Sequence, residues 1–167
     1  MTLANLQLAV VDVIATDRWI INNGIRVLAE DQGNIAAELD TALAKLGLAV
    51  VVYSPGIVGN APSSPVPQGL CNIVVACYET PLLNRGKANR TTALNAAERV
   101  ACRLTGLFTG MPARRGNRVF GPPSFVKLEF GGYDNKIFYT VHFQVLDALD
   151  GDMAEFPPES TSKHPIS

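Results

Sequence analysis

Histidine, cysteine and carboxylate side chains are the groups in this sequence that could bind a metal or catalyse a reaction. The two histidines, His142 and His164, have no partner at the spacing of a metal-binding pair such as His-x-x-x-His. The three cysteines, Cys71, Cys77 and Cys102, are odd in number and form no Cys-x-x-Cys pair. This pattern is typical of reduced, buried thiols, so we predict neither a metal site nor a bound cofactor.

The motifs of nucleophilic and phosphate-binding enzymes are also missing from the sequence. There is no Gly-x-Ser-x-Gly elbow, and the glycine pair at residues 56–59 leads into more loop rather than into a helix. Glu79 is the one carboxylate at the end of a hydrophobic strand. It would serve either as an anchor for Arg85 or Arg90, or as a catalytic group that converges with His142 in a pocket. No second residue supports catalysis, so we predict that the protein is not an enzyme.

Charge is unevenly distributed along the chain, although the formal net charge is only −1. Residues 1–84 carry a balance of −4, residues 85–118 a balance of +7, and residues 147–167 a balance of −4, with a neutral stretch before the last. The basic segment lacks the interleaved aromatic residues of single-strand binders and has no DNA-binding motif. Opposite charges on different faces favour contact with nucleic acid, with an acidic partner, or head to tail with another copy of the chain.

The basic segment contains a predicted helix that runs from a cap at Thr91 or Thr92 to about Leu104. Its predicted buried stripe consists of Leu94, Ala97, Ala101 and Leu104. Arg99 and Arg103 are four residues apart and therefore share another face of this helix. The candidate residues for a subunit or partner interface are Arg85, Arg99, Arg103, Arg114, Arg115 and Arg118, together with Glu79.

Two further helices precede the basic segment. Residues 4–16 have apolar side chains at helical spacing. The second helix has one apolar face, from Ile35 to Leu46. It has a candidate N-cap at Asp31 or Asn34, and Gly47 fits its C-terminal end.

Five strands are predicted from β-branched runs and from alternating apolar and polar residues, at residues 25–29, 48–53, 70–79, 125–130 and 136–147. The last two form a hairpin with a loop at residues 131–135. Two segments rich in proline and glycine, residues 54–69 and 109–124, are predicted to be long loops. The order of these elements predicts an α+β fold, with a mixed, largely antiparallel β-sheet packed against two or three α-helices.

The length of 167 residues suits one domain, which we place at residues 1–150, followed by a flexible acidic and polar tail at residues 151–167. No uncharged run approaches the roughly 18–20 residues of a membrane span. The first five residues lack the basic region of a signal peptide. We therefore expect the chain to stay in the cytoplasm in which it is made.

Several short sequence segments, together with this order of elements, resemble a family of virion proteins. They are residues 25–31, the helix end and strand at 45–52, the strand end at 78–81 with Asn84-Arg85, and the closing run 139–143. Together they resemble the small tail-terminator and neck proteins that join head to tail in long-tailed bacteriophages. The resemblance covers roughly residues 20–147 and rests on element order and pattern.

The resemblance implies a structural virion protein that forms a ring, commonly a hexamer, at the head-proximal end of the tail tube. The implied partners are other copies of the chain, the tail-tube protein and the head connector or neck proteins, with DNA passing through the lumen and no membrane. The implied location is the tail or neck of a virion assembled in the host cytoplasm, where the loops at 54–69 and 109–124 would contact ring and tube. The alternatives are another neck or tail-tube component, or a nucleic-acid-binding accessory protein that uses residues 85–118.

Overall fold

The computed structural model describes residues 2–30, 33–59, 68–81, 92–107, 114–115, 118–119 and 123–148. These residues form four helices: α1 (Thr2–Ala15), α2 (Arg18–Asn22), α3 (Ile35–Leu46) and α4 (Ala93–Leu107). Their strands are β1 (Arg26–Ala29), β2 (Leu48–Gly59), β3 (Gln68–Glu79), β4 (Arg114–Arg115), β5 (Arg118–Val119), β6 (Ser124–Tyr133) and β7 (Lys136–Ala148). The predicted tail, residues 151–167, lies outside the described residues, and so do Asp31, Arg85, Thr91 and His164.

The larger sheet has five strands in the order β1-β2-β3-β7-β6. β1 and β2 are parallel and are connected through α3, as parallel neighbours require a crossover. The other three pairings, β2 with β3, β3 with β7 and β7 with β6, are antiparallel. The predicted α+β fold with a mixed, largely antiparallel sheet is confirmed.

The crossover helix α3 follows directly from its sequence. The Asn34 side chain accepts a hydrogen bond from the Ala37 amide at 3.3 Å and so begins the helix. Gly47 ends it in a left-handed conformation with φ of 80°, and its amide donates to the Leu43 carbonyl at 2.7 Å. Both predicted signals for the ends of this helix are therefore confirmed.

Helices cover the sheet on two sides. The main core lies on the face covered by α1, α2 and α4, where alternate residues of the central strands are buried, such as Val50, Val75 and Phe143. The opposite face carries a smaller cluster, in which Ala42 and Leu43 of α3 pack over Ala49 of β2. This arrangement leaves the β7–β6 side of the second face without a covering helix among the described residues.

In the segment predicted as a loop at residues 54–69, the described residues 54–59 and 68–69 are strand, so the prediction was wrong for that part, while residues 60–67 lie outside the described residues. β2 continues to Gly59 and β3 already begins at Gln68. Two residues of β2, Ser54 and Pro55, oppose one residue of β3 in a bulge. Pro55 is tolerated there because β1 pairs with β2 only as far as Val52, so the missing amide donor breaks no ladder.

Two smaller predictions also need correction. The turn between β6 and β7 consists of Asp134 and its neighbour Asn135 alone, because the glycines predicted as loop residues belong to β6. A Cβ atom at Gly131 would collide with the ring of Phe138 on the neighbouring strand, so a larger residue there would have to displace that ring. In α4 the predicted stripe residue Leu94 is 38% exposed, and the buried residues are Ala93, Ala96, Ala97, Val100 and Leu104.

Candidate interaction surface

A buried carboxylate, Asp17, connects the corner between α1 and α2 to the middle of α4. Its side chain is 2% exposed and caps α2 by accepting hydrogen bonds from the amides of Trp19 at 2.9 Å and Ile20 at 3.3 Å. Nε of Arg99 donates to both carboxylate oxygens at 3.2 Å, and Nε of Arg103 lies 3.4 Å from Oδ2. Two of the predicted interface arginines therefore pair within their own chain.

The ionised form of Asp17 is favoured in the folded protein. Burial on its own would raise the pKa of this carboxyl, because a charge is less stable away from water. The hydrogen bonds from Arg99 and from the amides of Ile20 and Trp19 outweigh that effect and hold the pKa below the ordinary value of an aspartate. The side chains of Arg99 and Arg103 are still 47% and 33% exposed, so their outer surfaces remain available to a partner.

Glu79, the third predicted interface residue with a described side chain, is held at the start of α4. It is 1% exposed, and its Oε2 accepts a hydrogen bond from the Ala93 amide at 3.0 Å. A carboxylate at this end is favoured by the helix dipole. Thr92 and Asn95 complete the cap reciprocally, since each accepts a hydrogen bond from the other's amide, at 3.2 and 3.1 Å. Glu79 is thus part of the internal structure.

Glu79 and His142, the pair that the sequence offered for catalysis, are not brought together. Glu79 opposes Ile137 of β7, whereas His142 lies five residues further along that strand and therefore points to the opposite face. There, Nε2 of His142 lies 3.0 Å from the Thr140 hydroxyl and 3.1 Å from Glu129. Partial burial, aided by nearby Lys127, lowers the pKa of His142 despite the opposing effect of Glu129, so the ring is neutral at pH 7.

Three of the remaining candidate arginines, Arg114, Arg115 and Arg118, lie on a short hairpin. Arg114 and Arg115 form β4 and pair with β5, which begins at Arg118, and β4 lies beside α1. Arg85 is outside the described residues. Arg99 and Arg103 therefore form one cluster around Asp17, and Glu79 belongs to the cap of α4. The hairpin arginines belong to neither of these groups.

The thiols are only partly as predicted. Cys71 and Cys77 are buried, and burial raises the pKa of Cys77 to about 12, which makes it unreactive. Cys102 is exposed on α4, in contrast to the prediction that all three are buried. No group of three or more histidine, cysteine or acidic side chains in the described part of the chain could hold a metal ion. None of the described helices is long and apolar enough to cross a membrane.

An exposed apolar surface lies on β6 and was not predicted from the sequence. It consists of Phe125, Val126 and Phe130, which are 49%, 46% and 64% exposed; we call it the β6 surface. In the described sheet β6 has a neighbour on one side only, so its outer edge has no strand partner there. Apolar patches at a sheet edge mark contact surfaces for other proteins or other copies.

The two phenylalanines of the β6 surface each pack against an aromatic side chain of β7. Phe125 packs edge-on against Phe143 with ring centroids 6.2 Å apart, and Phe130 packs against Tyr139 at 5.2 Å. Val126 is the extra residue of a bulge between Phe125 and Lys127. The sequence predicts only that these apolar residues belong to a strand. The strand order in the structure is needed to see that this strand lies at an edge of the sheet.

Comparison with known proteins identifies a structural relative but no family. No family model matches the chain, and no curated protein matches it. Among solved structures it is similar to a chain of the structure described as the virion of a native gene transfer agent particle. The two share 16% sequence identity and superpose with a TM-score of 0.58, over 86% of this chain and 94% of the other. This similarity establishes a shared fold.

Proposed function

We propose that this protein is a structural component of a phage-like virion. The observation that carries the proposal is the shared fold with a gene transfer agent virion chain, which extends over nearly the whole of both chains. The similarity spans 94% of the other chain, so it concerns that chain as a whole rather than one shared element. The exposed β6 surface supports the proposal, because a protein that acts by assembly needs a contact surface of this kind.

Within the virion we propose the role of tail terminator or head–tail joining protein. In this role copies of the chain form a ring, with six as the expected number, at the head-proximal end of the tail tube. The partners are the tail-tube protein and the head connector, and DNA passes through the lumen. The strand order of the described sheet supports head-to-tail assembly, since its two end strands, β1 and β6, differ and lie on opposite sides of the sheet.

Two alternative functions predict different experimental results. A different neck or tail-tube component would occupy another position in the same particle. A nucleic-acid-binding accessory protein would use the basic segment at residues 85–118, but Arg99 and Arg103 already share one buried carboxylate, which reduces the free positive charge there. Binding through this segment predicts an affinity that falls steeply with salt and is abolished when Arg114, Arg115 and Arg118 are replaced together.

The test is to follow the protein into particles. Antibody labelling and electron microscopy of purified particles from the source organism should place the protein between head and tail. Light scattering of the purified chain should give a multiple of the chain mass of 17.9 kDa. A protein that is strictly monomeric and absent from purified particles contradicts the proposal, and label along the whole tail favours the tube alternative.

A further inference from the structure

An apolar groove opens between α3 and the segment that leads from α2 into β1. Its volume is about 760 Å³, which is within the range of pockets that hold a ligand or a short peptide. Its apolar lining consists of Ile21, Ile25, Ala42, Leu46 and Leu48. Ile21 is 58% exposed, the highest exposure among those large apolar helix residues whose side chains the structure describes. An apolar ligand would therefore remove from water a side chain that the fold leaves uncovered.

The charged residues that line this groove are both basic, Arg26 and Lys45. Arg26 forms an ion pair with Glu38, and Lys45 lies in the last turn of α3. Arg18 is exposed and lies three residues before Ile21, so it shares that face of α2. The groove thus combines an apolar floor with a net positive rim, and the complementary ligand is a peptide with apolar anchors and carboxylates.

The chain itself contains such a peptide after the end of β7. Residues 149–159 carry four carboxylates and no basic residue, with Met153 and Phe156 as large apolar side chains. Asp152 and Glu155 each directly precede one of these anchors. We propose that residues 149–159 of one copy bind in the groove of a neighbouring copy. This inference rests on the proposed function, because it requires copies of the chain to assemble.

The length of chain that follows β7 indicates that the groove it binds belongs to a neighbouring copy rather than to the same copy. Ala148 pairs with Gln68 at one end of β3, whereas Leu48 in the groove pairs with Glu79 at the other end. Eleven residue steps at about 3.3 Å each separate these ends by about 36 Å. Met153 is five residues after Ala148, and Phe156 is eight residues after it. Even in a fully extended chain, Met153 lies at most about 18 Å beyond Ala148 and Phe156 at most about 29 Å beyond it. Neither anchor reaches the groove of its own subunit.

Disulfide trapping between two differently tagged copies tests this contact. Both copies carry Cys102→Ser, which removes the exposed native thiol and leaves only the buried ones. One copy also carries Thr41→Cys in the groove, and the other carries Ala154→Cys between the two anchors, so that Ile21, Met153 and Phe156 are kept. After coexpression and mild oxidation, we expect a covalent heterodimer on a non-reducing gel. The matched control replaces Thr41→Cys by Glu98→Cys, which is exposed on α4 outside the groove and should trap at least tenfold less.

Charge reversal gives a second, independent readout of the same contact. Lys45→Glu should weaken assembly of the full chain by roughly two- to fivefold, as expected for one exposed ion pair, and Glu155→Lys should restore it. Assemblies that form normally but show no trapping above the Glu98→Cys control overturn this inference and leave the proposed function standing. A chain that stays monomeric in every variant overturns the proposed function and this inference with it.

Discussion

Replacing Asp17 by asparagine or by alanine separates the two tasks of this buried carboxylate. Asp17→Asn keeps a side-chain oxygen that can cap α2 but removes the charge that faces Arg99 and Arg103. Asp17→Ala removes both the charge and the cap. The difference between the two variants therefore measures the capping hydrogen bond, and the difference between Asp17→Asn and the natural chain measures the ionic contacts.

The expected sizes follow from the burial of the groups involved. Hydrogen bonds to charged groups contribute about 1.5–3 kcal/mol to stability. Arg99 and Arg103 are 47% and 33% exposed and can return to water, so we expect Asp17→Asn to lose about 2 kcal/mol. The lost cap adds about 1 kcal/mol for Asp17→Ala. At about 2–4 °C per kcal/mol for a chain of this length, the melting temperature should fall by roughly 4–8 °C and 6–12 °C, respectively.

Thermal and urea unfolding as a function of pH is the assay. The pKa of Asp17 is lower in the folded than in the unfolded chain, so its stabilisation is fully present above the unfolded value of about 3.9. It is lost as the pH falls through the lower, folded value. The gap between the natural chain and Asp17→Asn should therefore be constant above about pH 5 and shrink below pH 4. Glu98→Gln, on the exposed surface, should change stability by less than about 0.5 kcal/mol. A variant Asp17→Asn as stable as the natural chain at pH 7 refutes this reasoning.

Three further predictions concern packing, thiol reactivity and assembly. Gly131→Ala should lower the free energy of unfolding by about 1–2 kcal/mol in urea titrations, because the new methyl group displaces the ring of Phe138, and an unchanged midpoint would count against it. A thiol reagent at pH 8 should label Cys102 within minutes but Cys77 only after unfolding, as mass spectrometry of the labelled peptides would reveal. Phe130→Ser on the β6 surface should reduce the assembled fraction in light scattering and, through the lost contact with Tyr139, lower the melting temperature by only a few degrees, whereas a normal assembled fraction would exclude this surface from the contact.

Local patterns predicted the elements whose signals are close together in the sequence. α3 is the clearest case, since its cap at Asn34, its apolar stripe and its terminal Gly47 all lie within 14 residues. β7 is similar, because its strict alternation of apolar and polar residues predicted the strand at residues 136–147, and Val141 and Phe143 of that strand are buried in the core. In both elements, the side chains that determine the structure are neighbours along the chain.

The features that were missed depend on contacts distant in sequence. Asp17 and Arg99 are separated by 82 residues, so no local pattern links them, and Arg99 was predicted only as a residue of a subunit or partner interface. Pro55 was taken as the start of a loop because proline breaks a ladder, but its strand has already passed β1 at that point. The exposure of Phe130 depends on β6 being the last strand of the sheet, which strand propensity does not determine.

The folded structure also changes how the charge distribution along the chain is interpreted. The basic segment at residues 85–118 was interpreted as one possible contact face. In the structure Arg99 and Arg103 surround the carboxylate of Asp17. The acidic residues at 150–159 come after β7 in the sequence. The candidate contact between copies therefore shifts to the β6 surface and to the groove beside Lys45, at different edges of the sheet.

Electron microscopy of the purified full chain, combined with mass measurement of the same sample, is the sharpest test of the proposed ring. A head–tail joining role predicts closed rings, with six copies as the expected number and a mass six times the 17.9 kDa of one chain. It also predicts that the same protein is found at the head–tail junction of particles. A single monomeric species at micromolar concentration, with no copy in purified particles, would contradict it.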